Sequence, residues 1–237
     1  MSVHEVRLVK KETVAKDTMA FFFEKPNGFK FKPGQYCDFI LINPSETDSE
    51  GNVRSFTLAS APFENTLRIA TRMRDTAFKR VLKDMEIGSV IKLDGPNGKL
   101  TLKQGSQPAI FITGGIGVTP VRSIVSQATH DKLNQQMYLF YSNKTVGSAV
   151  FLNDFFEYTK KNDCFHFIPT ITGPIEKLGG AEIGRVNSDM IERYITDSTK
   201  PNYYVTGPKS MVVSIRKMLI ESGINKHSIL IEEFLGY

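Results

Sequence analysis

Ala109-Ile110-Phe111-Ile112-Thr113-Gly114-Gly115-Ile116-Gly117-Val118-Thr119-Pro120 is the stretch on which the fold turns. An apolar run, long enough for one buried parallel strand, stops at a glycine turn. A helix is predicted to start through Thr119 and Pro120. Thr is a favoured N-cap, and Pro suits the first helical position because its missing N–H had no partner there. Strand, glycine turn and helix start together aim backbone N–H groups and a positive dipole end at one point. That is an anion site, most often for a nucleotide pyrophosphate. A tight βα turn without a ligand has the same form. A second stretch upstream, Arg54-Ser55-Phe56-Thr57-Leu58-Ala59-Ser60, weighs for the nucleotide.

From Ala109 onward strands and helices alternate. Strands are predicted at Ala109–Thr113, Met137–Ser142, Cys164–Thr170, Tyr203–Thr206 and Ser228–Glu232, and helices near Pro120–Thr129, Ala149–Lys160, Asn187–Ile195 and Ser210–Ser222. Gly223 follows as a C′ glycine. This alternation predicts a parallel sheet covered by helices, whose strands' carboxyl ends line the site. The chain before it reads differently. Val3–Lys11, Thr18–Glu24, Gln35–Ile42, Arg54–Ala59, Thr66–Arg72 and Val90–Leu93 are short, β-branched or aromatic-rich runs bounded by turn residues. Six strands with one short helix near Thr76–Asp84 predict a small antiparallel barrel. Asn43–Asn52 reads as a polar loop. The polar stretch Leu102–Pro108 separates the halves, giving a barrel over 1–104 and an α/β domain over 105–237.

Composition narrows the function. The 237 residues carry a net charge of +5 and two cysteines, Cys37 and Cys164. Two distant cysteines cannot supply the four ligands of an iron–sulfur cluster and are expected as reduced thiols in a cytoplasm. No apolar run reaches the roughly 18 residues of a membrane helix, and no signal peptide is visible. The basic balance favours anionic ligands or an acidic partner. Without a long Lys/Arg block or any Trp, nucleic acid is disfavoured. His4, His130, His166 and His227 show no metal spacing, so no metal is expected, and no G-x-S-x-G elbow exists.

On the Arg54–Ser60 strand, alternation puts Arg54, Phe56 and Leu58 on one face and Ser55, Thr57 and Ala59 on the other. A cation, a flat ring and a hydroxyl are what a flavin needs, although a barrel strand with a surface Arg has the same form. Thr71–Arg80 is a strand running into a helix start, with Asp75 or Thr76 as cap. It holds four cations, Arg72, Arg74, Lys79 and Arg80, which suits a phosphate or a solvated helix. Asp75 counts against an anion unless it points away.

In this order the motifs resemble the ferredoxin–NADP⁺ reductase superfamily over nearly the whole chain. Pro33-Gly34-Gln35 precedes a strand. Arg54–Ser60 is similar to the family's Arg-x-Tyr-Ser-x-x-Ser flavin motif, and Thr76 falls where a Ser or Thr meets the flavin pyrophosphate. Gly95-Pro96-Asn97-Gly98 closes the barrel. Gly114–Pro120 matches the nicotinamide-nucleotide loop, Thr206-Gly207-Pro208 stands where the family has Cys-Gly-Pro, and Glu232-Glu233-Phe234 resembles its acidic–aromatic end.

The resemblance implies FAD and NAD(P)H as cofactors. It places Arg54 on the flavin phosphates, with Ser55 beside it. Phe56 stacks on the isoalloxazine and Thr57 hydrogen-bonds N5. Backbone groups of Ala70, Thr71 and Arg72 reach the pyrimidine edge, and Thr76 and Ala77 cap the pyrophosphate. It places Gly114, Gly115, Gly117, Thr119, Pro120, Gly207 and Pro208 at the nicotinamide nucleotide. Thr206 and Glu232 line the nicotinamide pocket. Phe234, or failing it Tyr237, shields the flavin unless these rings are packing alone. Phe56 replaces the usual Tyr and Thr206 the usual Cys. The strand end at Tyr141–Thr145 has no Asp or Glu for a ribose 2′-OH, and Ser142 and Lys144 suit a 2′-phosphate, which favours NADP(H).

The function implied is hydride transfer from NAD(P)H to FAD, then passage of electrons to an acceptor such as an acidic ferredoxin or oxygenase component. Free flavin, a ferric chelate or a quinone are other acceptors the reading allows. So are the roles of an electron-transfer subunit or of a non-catalytic nucleotide-binding module.

Overall fold

The structure is a computed structural model that describes residues 3–174, 178–195 and 200–234. The chain forms two compact units. One runs to Thr101 and also includes Thr119–Gln127; the other comprises Leu102–Val118 and the chain from Ala128 onward.

In the first unit, strands β1 (His4–Ala15), β2 (Thr18–Glu24), β3 (Tyr36–Ile40), β4 (Val53–Thr57) and β5 (Thr66–Arg72) precede helix α1 (Ala77–Asp84) and strand β6 (Val90–Asn97). They form a six-stranded antiparallel sheet in the order β4-β3-β6-β1-β2-β5. Its two edges meet where the Ala59 N–H, just past β4, donates to the Arg68 carbonyl of β5 at 2.7 Å. Inward positions supply Phe21, Phe23, Phe39, Leu67, Ile69 and Leu93, all buried, and α1 adds Phe78 and Leu82. Burying each such side chain stabilises the fold by about 1.5–3 kcal/mol. Strand β1 runs four residues beyond its predicted end. Irregular pairing with β2 between Leu8 and Lys10 and between Thr13 and Ala15 breaks the alternation that would have revealed it.

The second unit alternates β7 (Ala109–Gly114), α2 (Thr119–His130), β8 (Met137–Asn143), α3 (Leu152–Lys161), β9 (Phe165–Ile171), β10 (Glu182–Ile183), α4 (Ser188–Tyr194), β11 (Asn202–Pro208), α5 (Lys209–Glu221) and β12 (Ile229–Phe234). Part of α2 belongs to the first unit. The six strands are parallel, in the order β10-β9-β8-β7-β11-β12. Every residue of β7 is buried, as a central strand covered on both faces requires. Helix α3 starts at Leu152 rather than near Ala149 because Phe151 takes a left-handed φ of 61°. Gly223, with φ +83°, follows the Ser222 C-cap as expected of a C′ glycine.

Candidate functional site

The first cluster grows from the alternation of β4. Arg54 and Phe56 share a face. Phe56 is half-buried, edge-on to Phe39 at 5.7 Å and tilted against Phe78 of α1 at 5.8 Å. The Arg54 guanidinium lies over the Phe78 ring at 5.4 Å. On the other face the Ser55 hydroxyl donates to the Asp38 carboxylate. Thr57 is buried, opposite Tyr36 in the ladder. Ala70 and Thr71 are buried at the end of β5. There the Arg72 carbonyl accepts from the Arg74 N–H at 3.0 Å and from the Lys79 ammonium at 2.7 Å.

Helix α1 begins beside Arg54. Thr76 is its N-cap by backbone conformation, but the side chain makes no cap bond and its hydroxyl is buried without a partner. The Ala77 N–H donates instead to Asp48 Oδ2 at 3.2 Å. Asp48 Oδ1 takes Arg54 Nη2 at 2.9 Å, and Glu50 lies 2.9 Å from the same nitrogen. Partial burial opposes ionisation of Asp48. The Arg54 guanidinium and the Glu50 and Ala77 N–H groups outweigh it and hold the carboxyl below its ordinary range. Asp75 turns to Arg80, which also grips Glu46 at 2.8 and 2.5 Å. Arg80 is thus engaged, and Asp75 does not oppose an anion at the helix end. Burial, with Arg74 and Arg54 nearby, pushes the Lys79 ammonium down to about 8. No role for Asp48 or Glu50, nor the selective use of Lys79, was expected from sequence. Their signal was there, in carboxylates at every second position of a loop and a basic helix start.

The second cluster lies at the carboxyl ends of the parallel strands. Gly115–Val118 forms a 3₁₀ turn that runs directly into α2, so Thr119 is already helical rather than an N-cap, correcting that expectation. The glycines tolerate the turn, Gly115 having φ +53°. The positive end of the helix dipole therefore sits at Gly115. Thr119 and Pro120 are buried, and the Gly115 carbonyl accepts from the Tyr141 hydroxyl at 3.1 Å. The buried Thr206 hydroxyl donates to the Gly117 carbonyl at 2.7 Å. A side chain on Gly117 would meet Gly207 Cα at 2.6 Å, and one on Gly114 would meet Met211. Glu232 pairs with Thr206 in the ladder and Phe234 with Pro208, while Ser142 is the last but one residue of β8 and Lys144 is exposed just beyond the strand. Tyr237 lies outside the described residues.

Glu232 is half-buried, and burial pushes its carboxyl up from 4.5 to about 7. The folded state then binds more protons than the unfolded state between these values, so stability falls as pH rises through that window and levels off above it. Glu232→Gln should remove that slope from a plot of melting temperature against pH. An unchanged slope would place the titration elsewhere.

Both clusters present polar atoms suited to nucleotides. Arg54, Lys79, the start of α1 and the partnerless Thr76 hydroxyl suit phosphate. Thr113 Oγ1, Asn143 Oδ1 and Thr170 Oγ1, at the ends of β7, β8 and β9, are buried without partners, which is costly unless a ligand or water satisfies them.

Residues 5–102 match the oxidoreductase FAD-binding domain and residues 111–217 the oxidoreductase NAD-binding domain. The propane 2-monooxygenase reductase component of Rhodococcus jostii (strain RHA1) is 26% identical over 238 residues, covering 96% of this chain and 62% of the relative. The chain thus spans about three fifths of the length of the curated relatives it matches. Two solved structures share the fold. The flavohem-like FAD/NAD-binding domain of nitric oxide dioxygenase from Vibrio cholerae O1 biovar El Tor has a TM-score of 0.84 at 17% identity, covering 97% of this chain and 98% of that one. A ferredoxin NADP⁺ reductase from Neisseria gonorrhoeae, with bound FAD and NADP, has a TM-score of 0.82 at 18% identity, covering 98% of each chain. With an oxidoreductase FAD-binding domain followed by an oxidoreductase NAD-binding domain, the chain belongs to the FAD- and NAD-binding oxidoreductases and shares the fold of ferredoxin–NADP⁺ reductases.

Proposed function

We propose that the protein is a reductase that takes hydride from NAD(P)H onto FAD and passes electrons to an acceptor protein. The observation that carries this is a half-buried Arg54 beside the start of α1, inside the part of the chain that matches the FAD-binding domain. Bound FAD would supply a centre that takes two electrons together and releases them singly. The chain's own residues bind and orient. Arg54, Thr76 and the Ala77 N–H hold phosphate, Phe56 offers a ring face, and Thr57 offers a hydroxyl to N5. Gly115 and Gly117 keep the turn after β7 free of side chains where a second nucleotide would pass. Exposed Lys144 beside Ser142 supports NADP(H). Thr206, Glu232 and Phe234 border the nicotinamide end. The acceptor is proposed to be an acidic redox protein, supported by the net charge of +5 and by relatives named as reductase components of oxygenases.

A visible spectrum of purified protein, before and after anaerobic NADPH or NADH, tests the reading. Flavin absorption bleached by either nucleotide is expected, and a colourless chain that stays so after FAD is added would end it. Arg54→Ala removes a charge-assisted contact worth about 1.5–3 kcal/mol, so FAD should bind about ten- to a hundredfold more weakly. Fluorescence titration of the flavin-free protein measures this.

A further inference from the structure

Asp48 is held as a phosphate would be. One carboxylate oxygen accepts from Arg54 at 2.9 Å and from the Glu50 N–H at 3.0 Å. The other accepts from the Ala77 N–H at 3.2 Å, at the first turn of α1. A guanidinium and a helix N-terminus bridged by two oxygens of one anion is a common way to bind phosphate. Here the anion belongs to the chain.

The site around it is rich in cations. Lys79 and Arg54 share the start of α1 with Arg74, and burial, followed by these neighbouring cations, depresses the Lys79 ammonium. Glu50 adds a carboxylate to Arg54, but is largely exposed and makes no bond to the helix. Asp48 alone joins both partners.

The segment bearing Asp48 is closed off as a unit. Its base is closed by two bonds between Asn52 and Leu41: the Leu41 N–H donates to the Asn52 carbonyl at 3.0 Å and the Asn52 side-chain amide to the Leu41 carbonyl at 2.8 Å. Asn43 (φ 44°) and Gly51 (φ 73°) turn the chain at either end. Between these points Asp48 and the exposed Glu46–Arg80 pair tie it to α1.

We propose that Asp48 is an internal anion that competes with the flavin-nucleotide phosphate for Arg54 and the start of α1, so that cofactor loading displaces the 43–52 loop from the helix. The proposal rests on the FAD reading above. It makes Asp48 a determinant of cofactor affinity: it stabilises the flavin-free protein and weakens FAD binding by the same contact.

The test uses the full-length flavin-free chain, titrated with FAD, ADP and inorganic pyrophosphate. In Asp48→Asn the amide can still cap Ala77 but the competing charge is gone, and FAD should bind about tenfold more tightly, as expected for removing one charge-assisted rival. Asp48→Ala should show the same direction. Both flavin-free variants should melt below the wild type. Pyrophosphate should raise their melting temperature more than it raises the wild type's. FAD affinity unchanged or weaker in both variants would overturn the proposal and make Asp48 a positioning residue for Arg54. Should FAD fail to bind any form while pyrophosphate still favours the variants, the FAD reading falls and the competition stands. Failure of all three probes to distinguish wild type from variants ends the proposal.

Discussion

Gly117→Val should melt well below the wild type and lose nicotinamide-nucleotide binding together. A Cβ at this position would stand 2.6 Å from Gly207 Cα and 2.7 Å from the Gly207 nitrogen, both backbone atoms of β11 that cannot rotate away. The turn must then lift off β11, which also strains the bond from Thr206 to the Gly117 carbonyl. Overpacking of this kind costs about 1–3 kcal/mol, and the larger figure applies because backbone meets backbone. For a chain of this size that lowers the melting temperature by roughly 6–12 °C. FAD should remain bound, since the barrel's residues are untouched. Calorimetry and NADPH titration of the flavin-loaded variant check the result together. A variant that lost nucleotide binding without losing stability would show the glycine serving the ligand alone.

Glu64→Ala is expected to cost about as much by the opposite route, a removed acceptor. Glu64 Oε1 accepts from Arg122 of α2 at 2.5 Å, from Ser126 at 3.2 Å and from the Ala61 N–H at 2.9 Å. The Arg122 side chain is only 8% exposed and that of Glu64 22%. Breaking a buried pair from one side costs about 3–5 kcal/mol, and the partial exposure of Glu64 favours the lower figure. A drop of roughly 6–12 °C follows. The double variant Glu64→Leu/Arg122→Met, with both charges gone, should recover much of the loss, because apolar replacement of a buried pair is often neutral. A single variant that melts with the wild type would show the pair to be idle.

Sequence revealed most of this architecture because the strands obey simple periodicities. The run Ala109–Gly114 is apolar throughout and lies in the middle of a parallel sheet. Thr18–Glu24 is a short aromatic-rich run and lies in the antiparallel barrel sheet. Strand β10 was invisible, since the two residues Glu182 and Ile183 carry no period and pair only with the end of β9. The start of α2 was placed one residue late, and the 3₁₀ turn before it was missed, because Thr119 and Pro120 look like a cap, whereas the glycines before them can already turn. Of the candidate site, the glycine loop and Arg54 were legible from local pattern. Asp48 was not, for its meaning depends on Ala77, 29 residues on. Nor was the Arg122–Glu64 pair, whose members stand 58 residues apart.

The first unit is not continuous in sequence: it takes Thr119–Gln127 from beyond the polar linker. Within that segment Arg122 and Ser123 hold the carbonyls of Ala59 and Ser60, directly after the Arg54–Thr57 strand, at 2.9 and 2.7 Å. Recombination at residues 102–108 would therefore never transfer a whole module. A grafted C-terminal half brings its own residues at 122, 123 and 126, and these must suit a Glu64 inherited from the other parent. Chimeras that cross over inside the linker should be selected for this small set of positions, and a crossover after Gln127 would keep the flavin unit intact.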